Sequence, residues 1–130
     1  MKKIMTVLFI WTCVLCLAGC SNTSLSDIEK ATEVKVVQYD KSNGVENGMV
    51  VLTEESEIKH IVDNLNSLEY KKKRAPGPTI LEYKLFFYDS NSEVFETVSI
   101  AVEEWISFDG YFHSIKSGEL DRSYIAGLFE

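Results

Sequence analysis

The chain begins with an apolar segment and continues in shorter alternating and helical patterns. Residues 4–17 are uncharged and follow the basic pair Lys2-Lys3. At Ser21 the sequence turns polar, and from about Val34 onward apolar residues recur at strand and helix spacing. The first segment and the remainder therefore belong to different kinds of structure.

Runs rich in β-branched and aromatic residues predict strands in the second part. The first two, Val34–Tyr39 and Met49–Leu52, are separated by Asn and Gly residues that favour a turn, which predicts a hairpin. Asp109-Gly110 predicts a second, tight hairpin. A rigid break at Pro76-Gly77-Pro78 follows an extended or irregular stretch. The later segments are Leu68–Arg74 (extended or irregular), then strands Thr79–Tyr88, Glu93–Val102, Trp105–Phe108 and Tyr111–Ile115.

Within Thr79–Tyr88, apolar side chains occupy consecutive positions from Leu85 to Tyr88. Consecutive apolar residues are typical of a strand that is covered on both faces. We therefore expect both faces of this strand to be covered.

One amphipathic helix is predicted after the first hairpin. The apolar positions fall at i, i+3, i+4 and i+7, which forms one stripe: Ile58, Ile61, Val62 and Leu65. Thr53 is the predicted N-cap, three glutamates follow it where the helix dipole favours negative charge, and the helix should end near Asn66-Ser67. Residues 121–129 predict a second, short helix.

This order of elements predicts an α+β fold. We expect an antiparallel sheet of about six strands, one main amphipathic helix packed on a face, and a short C-terminal helix. Residues 31–130 are predicted to form a single domain. Residues 20–30 read as a polar tether, in which Ser26–Glu29 favours a turn of helix.

The apolar segment has the organisation of a signal peptide. Its 14 uncharged positions, residues 4–17, are too few for a membrane-spanning helix, which needs roughly 20. The small residues Ala18 and Gly19 follow, and residues 1–19 are therefore predicted to be removed. An ordinary secretory signal and an uncleaved anchor are the alternatives, and each would also place the domain outside the cytoplasm.

The segment Leu17-Ala18-Gly19-Cys20 resembles the lipobox of bacterial lipoprotein precursors. The resemblance implies that a signal peptidase recognises Leu17, Ala18 and Gly19, and that Cys20 becomes the lipidated first residue. It also implies a location at the outer face of the cytoplasmic membrane of a Gram-positive cell, or otherwise at the periplasmic side of an envelope membrane. More than one acyl chain gives stable anchoring without help from the protein.

Removal of residues 1–19 leaves 11 basic and 20 acidic residues, a net charge of −9. Such a charge argues against nucleic acid as a partner. Cys13 and Cys16 lie in the removed segment, and lipid would cap Cys20. The folded domain therefore has no disulfide framework and no cysteine nucleophile, and we expect no cofactor.

Two surface sites are candidates for binding. Lys71, Lys72, Lys73 and Arg74 form the one basic cluster, which could contact an anionic surface, although a solvated edge strand with protective lysines is the interpretation we favour. The sequence has more aromatic residues than a small core easily buries. Those around the Asp-Gly hairpin could form an exposed patch for a partner. The predicted patch is Trp105, Phe108 and Tyr111, with plain core packing as the alternative.

The sequence offers little for catalysis or metal binding. Asp89-x-Asn91-x-Glu93 is similar to the start of a calcium loop, but Val94 replaces the required Gly, so a plain turn is favoured. His60 and His113 lie on different elements, and His60 is expected on the exposed helix face, which makes a poor zinc site. The neighbouring carboxylates of Glu54-Glu55 and Glu103-Glu104 do not make a facing acid/base pair, so an enzyme is not expected.

Beyond the lipobox, the mature part resembles small uncharacterised lipoproteins of Gram-positive bacteria. The resemblance rests on the early hairpin, on segments 58–66, 83–89 and 106–111, and on the terminal helix. It implies a location and a style of fold, without catalytic residues. Our hypothesis is a non-catalytic module that binds a protein or peptide at the membrane. The alternatives are an immunity or protection lipoprotein against a secreted toxin or peptide, whose positive charge the acidic domain would suit, and a small cell-envelope hydrolase.

Overall fold

The computed structural model describes residues 25, 27–74, 79–102 and 105–130. All the strand pairs are antiparallel, and the strands form one sheet. The strands are β1 (Glu33–Tyr39), β2 (Glu46–Leu52), β3 (Glu69–Lys73), β4 (Leu81–Tyr88), β5 (Val94–Ala101), β6 (Trp105–Phe108) and β7 (Tyr111–Ser117). A 3-10 helix precedes β1 (Ile28–Lys30), helix α1 follows β2 (Glu55–Ser67), and helix α2 follows β7 (Arg122–Gly127).

The predicted α+β architecture is confirmed, with seven strands instead of about six. The strand order is β2-β1-β4-β5-β6-β7-β3. The additional strand is β3, in the stretch predicted to be extended or irregular, and it pairs with β7 at one edge of the sheet. Its partner follows much later in the sequence, so local pattern could not assign this pairing.

The core lies between the sheet and α1. All four residues of the predicted helical stripe are buried: Ile58, Ile61, Val62 and Leu65. They pack against alternate positions of the central strands, which are also buried: Val34 and Val36, Leu85 and Phe87, Val98 and Ile100, and Ile106. The alternation arises because successive strand side chains point to opposite faces.

The expectation that both faces of β4 are covered is wrong. Leu85 and Phe87 are fully buried on the helix side, whereas Phe86 is only half-buried on the other side. Among the described residues, lysine side chains lie beside Phe86 and no helix covers it. The apolar run thus reflects one buried face, with Leu85 and Phe87, and two half-buried aromatic residues on the other face, Phe86 and Tyr88.

The folded unit begins earlier than the sequence indicated. Leu25 and Ile28 are 3% and 0% exposed and belong to the core, so the predicted tether 20–30 is too long at its C-terminal end. The helix start also differs from the expectation. Glu54, in extended backbone, is the N-cap of α1 in place of Thr53, and it makes no side-chain capping bond.

Candidate binding surface

Both helices pack on the same side of the sheet. The ring of Tyr124, in α2, stacks on His60 of α1 with ring centroids 3.7 Å apart, and Phe129 stacks on the buried Tyr83 of β4. In the part of the chain that the structure describes, the other side of the sheet carries no helix. We call that side the open face.

The strand register defines which residues form the open face. One row of paired positions crosses all seven strands: Met49, Val37, Lys84, Ser99, Ser107, Phe112 and Lys73. Two shorter rows flank it: Val51, Lys35, Phe86 and Thr97 on one side, and Trp105, Ser114 and Lys71 on the other. The open face is therefore continuous from one edge of the sheet to the other.

The centre of the open face is formed by small hydroxyl side chains. Thr97 and Ser99 of β5 lie beside Ser107 of β6, and all three are half-buried. Larger aromatic residues stand on both sides of this floor, with Phe86 toward β2 and Phe112 toward β3. Trp105 also stands on this face of β6, two residues from Ser107. We call the three residues Thr97, Ser99 and Ser107 the hydroxyl floor.

Lysine ammonium groups lie over the aromatic rings of the open face. The Nζ atoms of Lys35 and Lys84 lie 5.2 and 5.5 Å from the ring centroid of Phe86. The Nζ atom of Lys73 lies 5.6 Å from the centroid of Trp105. Each contact has the geometry of a cation–π interaction and lets the lysine stem cover apolar surface. The rings therefore help to hold positive charge above the sheet.

The open face has a charge opposite to that of the chain. Its three rows contain four lysines and no carboxylate, and none of these lysines forms an ion pair with an acidic residue among those described. The acidic strand residues Glu33 and Glu46 lie at the ends of β1 and β2. The three rows thus carry net positive charge on an acidic protein, with Glu33 on the same face as Lys35 at the edge of this surface.

The predicted aromatic patch does not form one surface. Trp105 lies half-buried on the open face, but Phe108 is 2% exposed in the core and stacks on His113. Tyr111 is 52% exposed and pairs with Phe108, so it belongs to the helix side of the sheet, where Lys72 lies over its ring at 3.4 Å. Of the three residues, only Trp105 contributes to the open face.

The structure places the basic cluster on edge strand β3, as the favoured interpretation anticipated. Strand alternation divides it between the two faces. Lys71 and Lys73 pair with Ser114 and Phe112 on the open face, whereas Lys72 pairs with His113 on the helix side. Arg74 follows the strand and is exposed. A planar surface could therefore meet only part of this cluster.

The exposed histidine, His60, lies beside a carboxylate and a hydroxyl without forming a catalytic relay. Its Nε2 atom lies 3.0 Å from Asp121 Oδ2, while Ser123 donates to the other oxygen of Asp121 at 3.0 Å. The bond to His60 is the largest cause of the lowered pKa of Asp121. The carboxylate stands between serine and imidazole, so His60 is not placed to take the serine proton. Asp121 acts as the N-cap of α2, accepting from the backbone N–H of Tyr124.

The second histidine, His113, is buried against Phe108. It is 1% exposed, and its Nδ1 atom has no hydrogen-bond partner among the described residues. Burial lowers the pKa of His113, against an opposing effect of the backbone at Ile106 and Tyr111. Near pH 7 the imidazole is therefore uncharged and packs in the core as an aromatic ring.

Three carboxylates, those of Glu29, Glu55 and Asp63, line a cavity of about 470 Å³ beside α1, where Lys59 pairs with Asp63 at 2.6 Å. The side chain of Glu82 is almost completely buried and is bound by Arg122 at 2.6 Å and by Lys41 at 3.4 Å, beside an open cavity of about 410 Å³. Burial raises the pKa of Glu96, with Asp109 nearby adding to the effect. Glu54 and Glu55 are exposed at the start of α1. The predicted pair Glu103-Glu104 lies outside the described residues.

The Asp89 loop has the geometry of a turn. One oxygen of Asp89 accepts hydrogen bonds from the backbone N–H groups of Asn91 and Glu93, at 2.9 and 3.1 Å. Ser92 adopts a φ of 61°, which closes the turn between β4 and β5. Among the described residues, no three side chains of His, Cys, Asp or Glu are grouped to hold a metal ion.

The predicted lipidation site lies outside the described residues, as do Leu17, Ala18 and Gly19. Of the helices that the structure describes, none has the length and apolar character needed to span a membrane.

Sequence reasoning missed the open face. The signal was present in alternate positions: Lys35 and Val37 in β1, Lys84 and Phe86 in β4, and then the hydroxyl residues of β5 and β6. Only the register shows that these positions are neighbours, because each of those strands must be aligned with the next to within one residue.

Comparisons with protein-family models, with curated proteins and with solved structures found no match to this chain.

Proposed function

We propose that this chain is an extracytoplasmic lipoprotein, anchored to a membrane through Cys20, whose folded domain is a non-catalytic binding module for a protein or peptide. The observation that carries this proposal is the open face, which crosses all seven strands and combines exposed apolar residues at the β2 edge with half-buried aromatic residues and ring-supported lysines. Exposed apolar and aromatic side chains grouped on one surface among polar residues are typical of a recognition site.

The exposed fractions of the apolar residues support a binding role. Met49 and Val51 at the β2 edge are 55% and 46% exposed, and they continue the surface formed by Phe86. A partner that covers these side chains removes apolar area from water, which favours association. The aromatic residues add contact area with little loss of side-chain freedom.

The anchoring part of the proposal rests on the signal-peptide pattern and the lipobox-like segment. Leu25, the first described residue of the core, follows Cys20 by five positions. Five residues span at most about 18 Å when extended. A lipid on Cys20 would therefore hold the domain close to the membrane surface.

A pull-down from intact cells tests both parts of the proposal. The full-length chain carries a C-terminal tag, and it is compared with Cys20→Ala and with Trp105→Ala, each checked for folding by circular dichroism. We expect the parent chain to remain in the membrane fraction and to enrich a specific envelope protein or peptide. Cys20→Ala should leave the membrane fraction, and Trp105→Ala should lose the enriched partner.

Two outcomes would overturn the proposal. Retention of Cys20→Ala in the membrane fraction would contradict the lipid anchor. Consumption of an envelope substrate by the purified chain, with no partner enriched, would replace the binding module by the hydrolase alternative.

A further inference from the structure

The lysines of the open face stand on both sides of its hydroxyl floor. In the row that crosses the sheet, Lys84 and Lys73 are separated by Ser99, Ser107 and Phe112. Neighbouring strands lie about 4.8 Å apart, so the Cα atoms of these two lysines are roughly 19 Å apart. Lys35 stands near Lys84, and Lys71 stands near Lys73 in the same strand. We call these pairs the β4-side lysines and the β3-side lysines.

The distance between the two lysine pairs, roughly 19 Å between the Cα atoms of Lys84 and Lys73, leaves room for one α-helix. An α-helix with its side chains is about 10–12 Å across. Laid along β5 and β6, it would cover the hydroxyl floor and bring its two flanks above the two lysine pairs. The backbone of an extended peptide occupies about one strand spacing, roughly 4.8 Å, so it spans less of the distance between the two pairs than a helix does.

The contacts of the lysines favour acidic groups over sugar rings as the ligands. Two ammonium groups already lie over the Phe86 ring and a third lies over Trp105. A sugar could stack on these rings only by displacing the lysines, whereas a carboxylate could pair with an ammonium where it stands. Charge complementarity therefore indicates a negatively charged partner.

Other occupants fit less well. Two copies of this chain placed open face to open face would bring eight lysines together, and like charges in contact oppose association. A long polyanion would extend past the floor toward the acidic strand ends at Glu33 and Glu46. An anionic membrane is disfavoured because Leu25, the described residue nearest to the proposed anchor, packs in the core on the helix side of the sheet.

We propose that the open face binds an acidic amphipathic α-helix of a partner protein, with glutamate or aspartate residues on both flanks of an apolar stripe. This inference rests on the proposed binding function and gives its partner a chemical class. The apolar stripe lies on the hydroxyl floor and against Phe86 and Phe112, and the two acidic flanks pair with the two sets of lysines.

Peptide binding to the full-length protein, purified in a neutral detergent, tests this inference. The probe is a fluorescent 18-residue amphipathic helix with a Leu/Ala stripe and Glu on both flanks. The matched peptides carry Lys in place of Glu, or carry all the Glu on one flank. We expect the two-flank acidic helix to bind at least about tenfold tighter than either matched peptide at low salt, with an affinity that falls as salt rises.

Charge-reversal variants assign the binding to the two lysine pairs. Lys84→Glu and Lys73→Glu should each weaken binding by about tenfold or more. Lys59→Glu is the matched control, because Lys59 lies exposed on α1, on the other side of the domain, and its reversal should leave binding unchanged. The variants change exposed or half-buried surface charges, and their folding is verified by circular dichroism.

Four results would overturn the inference. Equal affinities for the acidic and basic peptides would show that the open face does not recognise charge. Dependence on only one of the two lysine pairs would indicate a narrower, extended ligand. Tighter binding to phosphatidylglycerol vesicles than to the peptide, lost in the same variants, would assign the face to the membrane. If the peptide does not bind but the cell pull-down yields a partner that depends on Trp105, the binding module stands and the acidic helix is rejected.

Discussion

The imidazole of His113 lies flat on the ring of Phe108, with centroids 3.9 Å apart and ring planes 4° from parallel. Both residues are buried, and they fill the end of the core beneath β6 and β7. Tyr70 of β3 contacts both rings edge-on. The stack thus joins the edge strand to the last hairpin through three rings.

Burial of His113 predicts a loss of stability in mild acid. Its pKa is lowered in the fold, so below its ordinary value of about 6.5 the unfolded chain binds more protons than the folded one. The free energy of unfolding should therefore fall as the pH drops below about 6.5, by at most about 1.4 kcal/mol per pH unit. Lys72 nearby strengthens the effect, and Asp109 opposes it.

The measurement is urea denaturation between pH 7.5 and 5 for the parent chain and for His113→Phe, which keeps a ring in the stack. Glu96, with its raised pKa, changes the slope in the opposite direction, but it is present in both proteins. The difference between them therefore isolates His113. Identical curves for the parent and His113→Phe would contradict the prediction.

The hydroxyl of Tyr70 stabilises the end of α1. It donates a buried hydrogen bond to the backbone oxygen of Leu65 at 2.7 Å. Tyr70→Phe keeps the ring and deletes this bond, so the free energy of unfolding should fall by about 1–2 kcal/mol. Tyr88→Phe, at a half-buried position on another strand, should change it by less than about 0.5 kcal/mol. Equal losses of unfolding free energy in Tyr70→Phe and Tyr88→Phe would show that the hydrogen bond from Tyr70 makes no contribution of its own to stability.

Two glycines with positive φ provide a matched test of packing. Gly110, at the hairpin tip, has a φ of 75°, and a Cβ there would meet nothing within 4 Å. Gly118 has a φ of 91°, and its Cβ would lie 2.8 Å from Leu68 Cδ2 and 3.4 Å from Leu68 Cα. Gly110→Ala should therefore cost about 1–2 kcal/mol from backbone strain alone.

Gly118→Ala should cost more than Gly110→Ala, because Leu68 must move in addition to the strain. Thermal unfolding of the two variants measures the difference directly. A smaller loss of stability for Gly118→Ala than for Gly110→Ala would mean that the end of the Leu68 side chain moves aside at little energetic cost.

The Glu82–Arg122 ion pair predicts an asymmetric double-mutant cycle. Arg122→Met leaves the carboxylate of Glu82 buried with only Lys41 beside it, at a cost of roughly 2–4 kcal/mol. Glu82→Leu should cost less, because Arg122 is partly exposed and can reach water. The double variant should be more stable than Arg122→Met, since no buried charge remains. Additive losses in urea denaturation would contradict this account.

The elements defined by local pattern were predictable from the sequence. The spacing of Ile58, Ile61, Val62 and Leu65 placed the main helix and its buried face, because one stripe must face the core. Asp109-Gly110 placed the last hairpin, because both residues adopt positive φ there. These features depend on neighbours within a few positions of the chain.

Features set by distant partners were not predictable. Consecutive apolar residues around Phe86 suggested two covered faces, because the sequence does not show that Lys35 lies beside Phe86. Trp105 and Tyr111 could be grouped only by their place in the hairpin, and their opposite faces follow from the register. The binding surface is built from such cross-strand neighbours, so it emerged only with the structure.

The position of β3 has a consequence for the order in which the molecule folds. β3 ends at Lys73, yet its neighbour in the sheet, β7, begins at Tyr111. A chain that emerges from a ribosome or a pore with its amino end first therefore exposes β3 long before a partner exists for it. The lysines of β3 keep this strand soluble before β7 is present, and they discourage pairing with another chain. Closure of the sheet thus becomes a late event that follows release of nearly the whole polypeptide.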